Sequence, residues 1–395
     1  MRFIKRLILF MMLYCSSLNA WCSHPHIIKR TGGGIFISSK MDNETDILYW
    51  FKRCMFNDIF TFYRVGMLHN DGALPVADPD TQPDIVLNLT VSDNIGPFDV
   101  ESGGWCGGNH PYTDGISRTA GTESVSVFAD GMEINNDTVV SYTGDIKIKV
   151  RNYILNPASA EQKEGITFFR DTLCVENVEY SVCRNNIQVE VSHLYTNKIP
   201  VRITRYYGMQ SMFCNENEVL TPGGEYRHWT NITEVSRFKK DKYRNFRRFI
   251  EKNGYASQSA YLCNYGLGTH SEVPDDDVVF IGNSSGKCYH KLISGSIRRD
   301  GCADLWKGVY TWFRKPLYED VHLYVYEGML DGHAALYVSG DNAKECVVEL
   351  PSGIAAGKFR ILESFSSVEV HRRSSNTITI SSGKNAGCII LFDNQ

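Results

Sequence analysis

The densest chemistry in the chain lies in Glu101-Ser102-Gly103-Gly104-Trp105-Cys106-Gly107-Gly108-Asn109-His110-Pro111-Tyr112. Glycines let a backbone approach a ligand closely or take positive φ. Trp105 and Tyr112 offer rings on which a sugar could stack. Asn109 and His110 could bind a carboxylate or move a proton, and Arg118 follows shortly after. A second constellation is Arg205-Tyr206-Tyr207-Gly208. A tyrosine beside an arginine serves as a base if its pKa is lowered. Together these residues suggest chemistry on an acidic sugar. Asn109 with Arg118 would neutralise a uronate carboxylate, and His110 or Tyr207 would take the adjacent proton. His228-Trp229, after the turn Pro222-Gly223-Gly224, could join them as a further sugar contact. Hydrolysis would instead need two carboxylates, for which Glu101, Glu190 and Glu234 are candidates.

Each feature also has a purely architectural interpretation. The glycine-rich segment could connect two strands, with Trp105 plugging a core. Only one of two adjacent tyrosines on a strand faces the core, so Tyr206 and Tyr207 divide between core and surface. His193 shares a strand face with Val189 and Val191, which makes it a satisfied, half-buried residue rather than a catalyst. Asp275-Asp276-Asp277 could hold Ca²⁺ but lacks EF-hand spacing, so no cofactor is required. There is no Gly-x-Ser-x-Gly elbow, no C-x-x-C pair and no phosphate loop after Gly32-Gly33-Gly34.

The elements that must position these groups are strands. Ile85–Val91, Glu123–Ala129, Ile146–Val150, Ile187–Leu194 and Val201–Tyr207 alternate apolar and polar residues between turn-forming stretches. The spacing leaves no room for crossover helices, so the sheets are expected to be antiparallel. The aromatic-rich stretch from Asp46 to Gly66 reads as two strands with a turn at Asn57-Asp58. One helix is expected, over Arg237–Asn253, with Phe238, Phe246, Phe249 and Ile250 as its apolar set and Gly254 at its C-cap. Its remaining residues are strongly basic and could form a patch for an acidic polymer. Short alternating strands resume after Pro316. The predicted fold is mainly β: a large antiparallel β-sandwich over 21–316, one short helical insertion, and a smaller C-terminal β-rich unit over 317–395.

Residues 1–20 read as a signal peptide. Arg2, Lys5 and Arg6 precede a short apolar run, Leu7–Cys15, and small or polar residues up to Ala20. No later run is long enough to span a bilayer. The protein is therefore expected to be exported to the periplasm, the cell surface or the medium. The formal charge is −4, which provides no basic field for nucleic acid. Of the 12 cysteines only Cys15 lies in the leader, so an odd number, eleven, follows it. An oxidising compartment permits disulfides. Cys174 with Cys183, across a turn at Asn177, and Cys288 with Cys302 are candidate pairs.

The leader, the strand-rich body, the segment from Ser92 to Tyr112 and Arg205–Gly208 resemble the exported, supersandwich-like β-sandwich proteins of gut-type bacteria that act on polysaccharides. The resemblance implies a sugar groove across one sheet, with loop His, Tyr, Arg and Asn as working groups. The first expectation is therefore a lyase or hydrolase acting on an acidic polysaccharide. The alternative is a non-catalytic glycan-binding or surface-interaction protein. A structural ectodomain is a third reading, favoured by the sequons at Asn43, Asn88, Asn136, Asn231 and Asn283.

Overall fold

A computed structural model describes residues 26–89, 95–135, 139–214, 218–220, 226–228, 235–238, 248–269, 278–281, 287–352, 354 and 358–393. All described strand pairs are antiparallel. Among the described residues no helix is long and apolar enough to cross a membrane.

A ten-stranded sheet dominates the fold. Its centre is the hairpin Thr172–Cys183 and Asn186–Tyr195, flanked by Ile146–Leu155 and Ala120–Ala129 on one side and Ala303–Phe313 and Ser257–Gly266 on the other. Two six-stranded sheets cover its inner face. One is the five-stranded meander from His26 to Leu89 with Val139–Thr143 paired to its first strand; its Phe51 and Phe62 pack edge-on to Tyr180, while Phe62 also meets Tyr310 and Trp312. The other has Val201–Ser211 between Lys287–Arg298 and Phe98–Val100, with Gly104–Cys106 beyond. Its Phe98 and Tyr206 rings meet His193. The expected turn at Asn57-Asp58 is present, with Met55 and Asp58 at positive φ.

The strands from Tyr318 onward form a five-stranded and a three-stranded sheet around a core that includes Val325, Leu336, Val348, Ile378 and Ile390. A further apolar cluster joins this unit to the ten-stranded sheet through Tyr261, Val309 and Phe313 against Tyr326, Tyr337 and Ile389.

The expected helix is replaced by strands where its residues are described. Val235–Phe238 pairs with Val278–Ile281, and Arg248–Lys252 pairs with Ser257–Gly266. Residues 239–247 lie outside the described residues. Gly254 is not a helix cap. It sits in a hairpin turn where Asn253 Oδ1 accepts hydrogen bonds from the backbone N–H groups of Tyr255 and Ala256. Tertiary burial outweighs the helical periodicity. Phe249 and Ile250 point to opposite faces, each against a different core cluster. Arg248 is not on a solvated face either: it is buried, with its guanidinium 5.5 Å from the rings of Tyr324 and Tyr326.

The disulfide expectation also changes. No disulfide joins any of the described cysteines. Cys174 and Cys183 stand at opposite ends of one continuous strand, about 30 Å apart at the usual rise per residue. Asn177 is no turn; it pairs with Arg151 and Ser192 in mid-sheet. Cys288 opens the strand Lys287–Arg298 and Cys302 follows its far end. Burial pushes the Cys388 thiol up to about 12 and holds Cys106 and Cys174 well above the ordinary thiol range. Burial, against the pull of Lys52, raises Cys54 to about 11.

The sandwich core contains a polar row. Thr122, Asn152, Glu176, His193 and Asp304 are cross-strand neighbours on five successive strands, all on the inner face. Thr122 Oγ1 donates to Asn152 Oδ1 at 2.6 Å, and Asn152 Nδ2 donates to Glu176 Oε1 at 2.9 Å. Glu176 Oε2 lies 2.9 Å from His193 Nε2. Tyr206 OH, 3.5 Å from the same nitrogen, accepts from Trp306 Nε1 and donates to the Ile95 carbonyl. Asp304 accepts from Tyr195 OH and pairs with Arg298 at 2.7 Å. His193, expected to be half-buried, is fully buried, and it is satisfied on its Nε2 side. Its Nδ1 has no hydrogen-bond partner among the described residues.

Two predictions follow from this core. Glu176→Ala strands His193 and Asn152 in an apolar layer and should cost about 3–5 kcal/mol, read as a shift of the urea midpoint. Because the thiolate is the reactive form, a raised pKa depletes it. A thiol reagent at pH 8 should therefore label Cys54 slowly, faster as the pH climbs, and should reach Cys106 and Cys174 only after denaturation.

Candidate functional site

The glycine-rich segment folds back beside Arg205–Gly208. Register does this. Arg205 is opposite Asp99, and Asp99 is opposite Trp105, so three side chains share one face of the second six-stranded sheet. Arg205 Nε donates to Asp99 Oδ2 at 2.8 Å. Burial alone would lower the Arg205 pKa, but the bond to Asp99 outweighs it and raises it. The Trp105 ring is stacked with His110 at 5.0 Å and with Tyr207 at 5.9 Å. The Arg205 guanidinium lies 4.9 Å from the same ring. Tyr207 in turn meets Tyr289 at 5.4 Å.

The loop carrying His110 is held from below by Asn57, which sequence reading had assigned only to a turn. Fully buried, Asn57 donates to the carbonyls of Gly108 and His110 and accepts from Thr119 N. Thr119 Oγ1 accepts from Gly107 N and donates to the His110 carbonyl. Gly107, at φ 73°, makes that bend, and a Cβ on Gly103 would lie 2.5 Å from Ala158 N.

The other residues of the sequence reading are spread over the fold. Tyr206 is fully buried, stacked on Phe98 at 4.3 Å, so it cannot touch a polysaccharide; Tyr207 is the surface member of the pair. Asn109 Oδ1 accepts from Phe56 N at 2.8 Å. Tyr112 packs edge-on to Phe169. Arg118 is exposed and lies 3.9 Å from Asp58. His228 is on the edge strand Tyr226–His228 of the ten-stranded sheet, a different sheet from Trp105. Trp229, Glu234 and Asp275–Asp277 lie outside the described residues. Glu101 is 3.9 Å from Arg202. Among the described residues no cluster of His, Cys, Asp and Glu could hold a metal.

A trough of about 420 Å³ crosses the outer face of the ten-stranded sheet. Ser126, Lys149, Glu179 and Glu190 line its floor, and they belong to a cross-strand row that Lys307 continues on a fifth strand just beyond the lining. Like charges opposite each other destabilise a sheet, so Glu179 and Glu190 need cations. Lys147 and Lys149 lie 3.4 and 3.5 Å from Glu179. Lys307 lies 3.2 Å from Glu190 and 2.7 Å from Asp331. Burial would lower the Lys307 pKa, but Asp331 and Glu190 outweigh it and hold the ammonium protonated well above its ordinary range. An aromatic ring stands at each end. Phe128 lies 5.4 Å from the Lys149 ammonium and Tyr265, 45% exposed, lies 5.2 Å from that of Lys307. The sequence signal for this row was the polar half of four alternating strands; only Glu190 had been singled out.

No family model matches the chain, and no curated protein matches it in sequence. Among solved structures, the galactosidase domain of the alpha-galactosidase-sucrose kinase AgaSK is similar at TM-score 0.40 and 8% identity, covering 73% of this chain and 42% of that one. A GH36 alpha-galactosidase, AgaA from Geobacillus stearothermophilus in complex with stachyose, gives 0.34 and 9%, covering 74% and 41%. The Streptomyces coelicolor chondroitin AC lyase in complex with chondroitin sulphate gives 0.19 and 9%, covering 91% and 48%. The chain spans less than half the length of each. Likeness this slight carries no argument about function; the class rests on the chain's own sheets, a mainly β antiparallel sandwich.

Trp105 is the common partner of three side chains. Trp105→Ala should therefore cost about 3 kcal/mol, whereas Asp99→Ala, which opens a half-exposed ion pair, should cost about 1 kcal/mol or less. Urea denaturation of the two variants checks the order.

Proposed function

We propose that the protein is an exported, glycan-binding β-sandwich protein that takes a carbohydrate chain in the trough across its ten-stranded sheet. The observation that carries this reading is the floor row Lys149–Glu179–Glu190–Lys307 with a ring at each end. It offers donors and acceptors in one plane, as a hydroxyl-rich ligand needs, together with apolar platforms. Export rests on the leader-like residues 1–20.

Binding fits the geometry better than turnover. A lyase would use His110 and Tyr207 as acid and base. Both are stacked on Trp105, and Arg205 is committed to Asp99. A retaining hydrolase needs two carboxyl groups roughly 5–5.5 Å apart, one of them a general acid in an apolar setting. Glu179 and Glu190 are directly opposite each other, but each already meets lysine.

Affinity electrophoresis of the purified protein through gels containing neutral or acidic polysaccharides tests the proposal. At least one glycan should retard it, and Tyr265→Ala with Lys149→Ala should restore free migration. Reducing-end release that disappears in Glu190→Gln would replace the binder by a hydrolase. Unsaturated-uronate absorbance lost in His110→Ala or Tyr207→Phe would establish a lyase at the aromatic stack and refute the trough.

A further inference from the structure

We infer that the trough selects an uncharged, linear glycan and holds it across the strands, one sugar ring per strand. This rests on the trough being the glycan site. The charge class follows from the lining, where Lys149 and Arg151 stand against Glu179 and Glu190. Beyond it the partners also balance, Lys147 and Lys307 against Glu123 and Asp331. A floor with no net charge gives an acidic polymer no attraction, and would set its carboxylates against Glu179 and Glu190. A sugar hydroxyl both donates and accepts, so it can bond to the carboxylates and the ammonium groups alike.

The direction follows from the register. The floor row runs perpendicular to the strands, from Ser126 to Lys307. The row of Ser124, Arg151, Asn177, Ser192 and Leu305 lies parallel to it, two residues further along each strand. Phe128, one row over in register with Lys147, stands on the first strand and Tyr265 on the sixth, so the rings bound the trough at its two ends. Five strand-to-strand steps span about 24 Å. The step is close to the advance of one pyranose in a linear chain, so successive rings would meet successive strands. One ring over each of the five strands of the row, from Ser126 to Lys307, makes about five rings.

Isothermal titration with cello-, manno- and xylo-oligosaccharides of two to seven units, beside oligogalacturonates of the same lengths, tests the inference. Affinity for one neutral series should rise with each unit and level off near five. Tyr265→Ala should lower the plateau affinity about tenfold and move it to a shorter chain, while circular dichroism stays unchanged. The double variant Glu179→Gln, Glu190→Gln leaves the lysines uncompensated and should gain salt-sensitive binding of oligogalacturonate that the parent lacks. Parent binding of the acidic series as tightly as the neutral one would overturn the charge class. Saturation at two units would overturn the crosswise placement. No binding by any oligosaccharide, with none gained in the double variant, would overturn the trough as the glycan site itself.

Discussion

The structure depends on the polar row buried between its sheets. Thr122, Asn152, Glu176, His193 and Asp304 must meet their partners in an apolar layer, where an unmet polar group is costly. Only one alignment of the five strands lets them do so. Side chains alternate faces along a strand, so a slip of one residue would send this row to solvent and bring Lys149, Glu179, Glu190 and Lys307 inside. The buried row and the trough floor are thus set by the same register. The first makes the second unambiguous.

The same interior links the sheets. Tyr206 reaches from the second six-stranded sheet to Trp306 on the ten-stranded one, while Asn88 of the meander accepts from Trp312 Nε1 at 2.7 Å. Asn88 heads a sequon, yet it is 1% exposed and committed to this bond. Glycosylation there is incompatible with the fold.

The aromatic stack shows what register makes of two separate sequence segments. Trp105, His110 and Tyr207 do converge, because Asp99 connects their strands in register. Convergence stacks His110 and Tyr207 on one indole, which is their shared surface. Asn57 and Thr119 shape the loop beneath it through backbone hydrogen bonds, and neither looked exceptional in sequence.

The sequence by itself determined the β class, the alternation along Glu123–Ala129, Ile146–Val150 and Ile187–Leu194, and the hairpin through Asn57-Asp58, because these are written in neighbours two residues apart. It also placed His193 on an inward face and divided Tyr206 from Tyr207. Tertiary structure decided what local patterns cannot contain. Arg237–Asn253 carries a helical spacing of apolar residues, yet sheet pairing and burial against two cores make its Arg248–Lys252 stretch a strand. Cys174 and Cys183 are near in sequence and remote in space, because an extended chain separates residues most quickly. The trough exists only through register across six strands drawn from the whole length between Ala120 and Phe313. Such long-range alignment depends on which buried polar groups find partners, and that is settled only when the sheets close on one another.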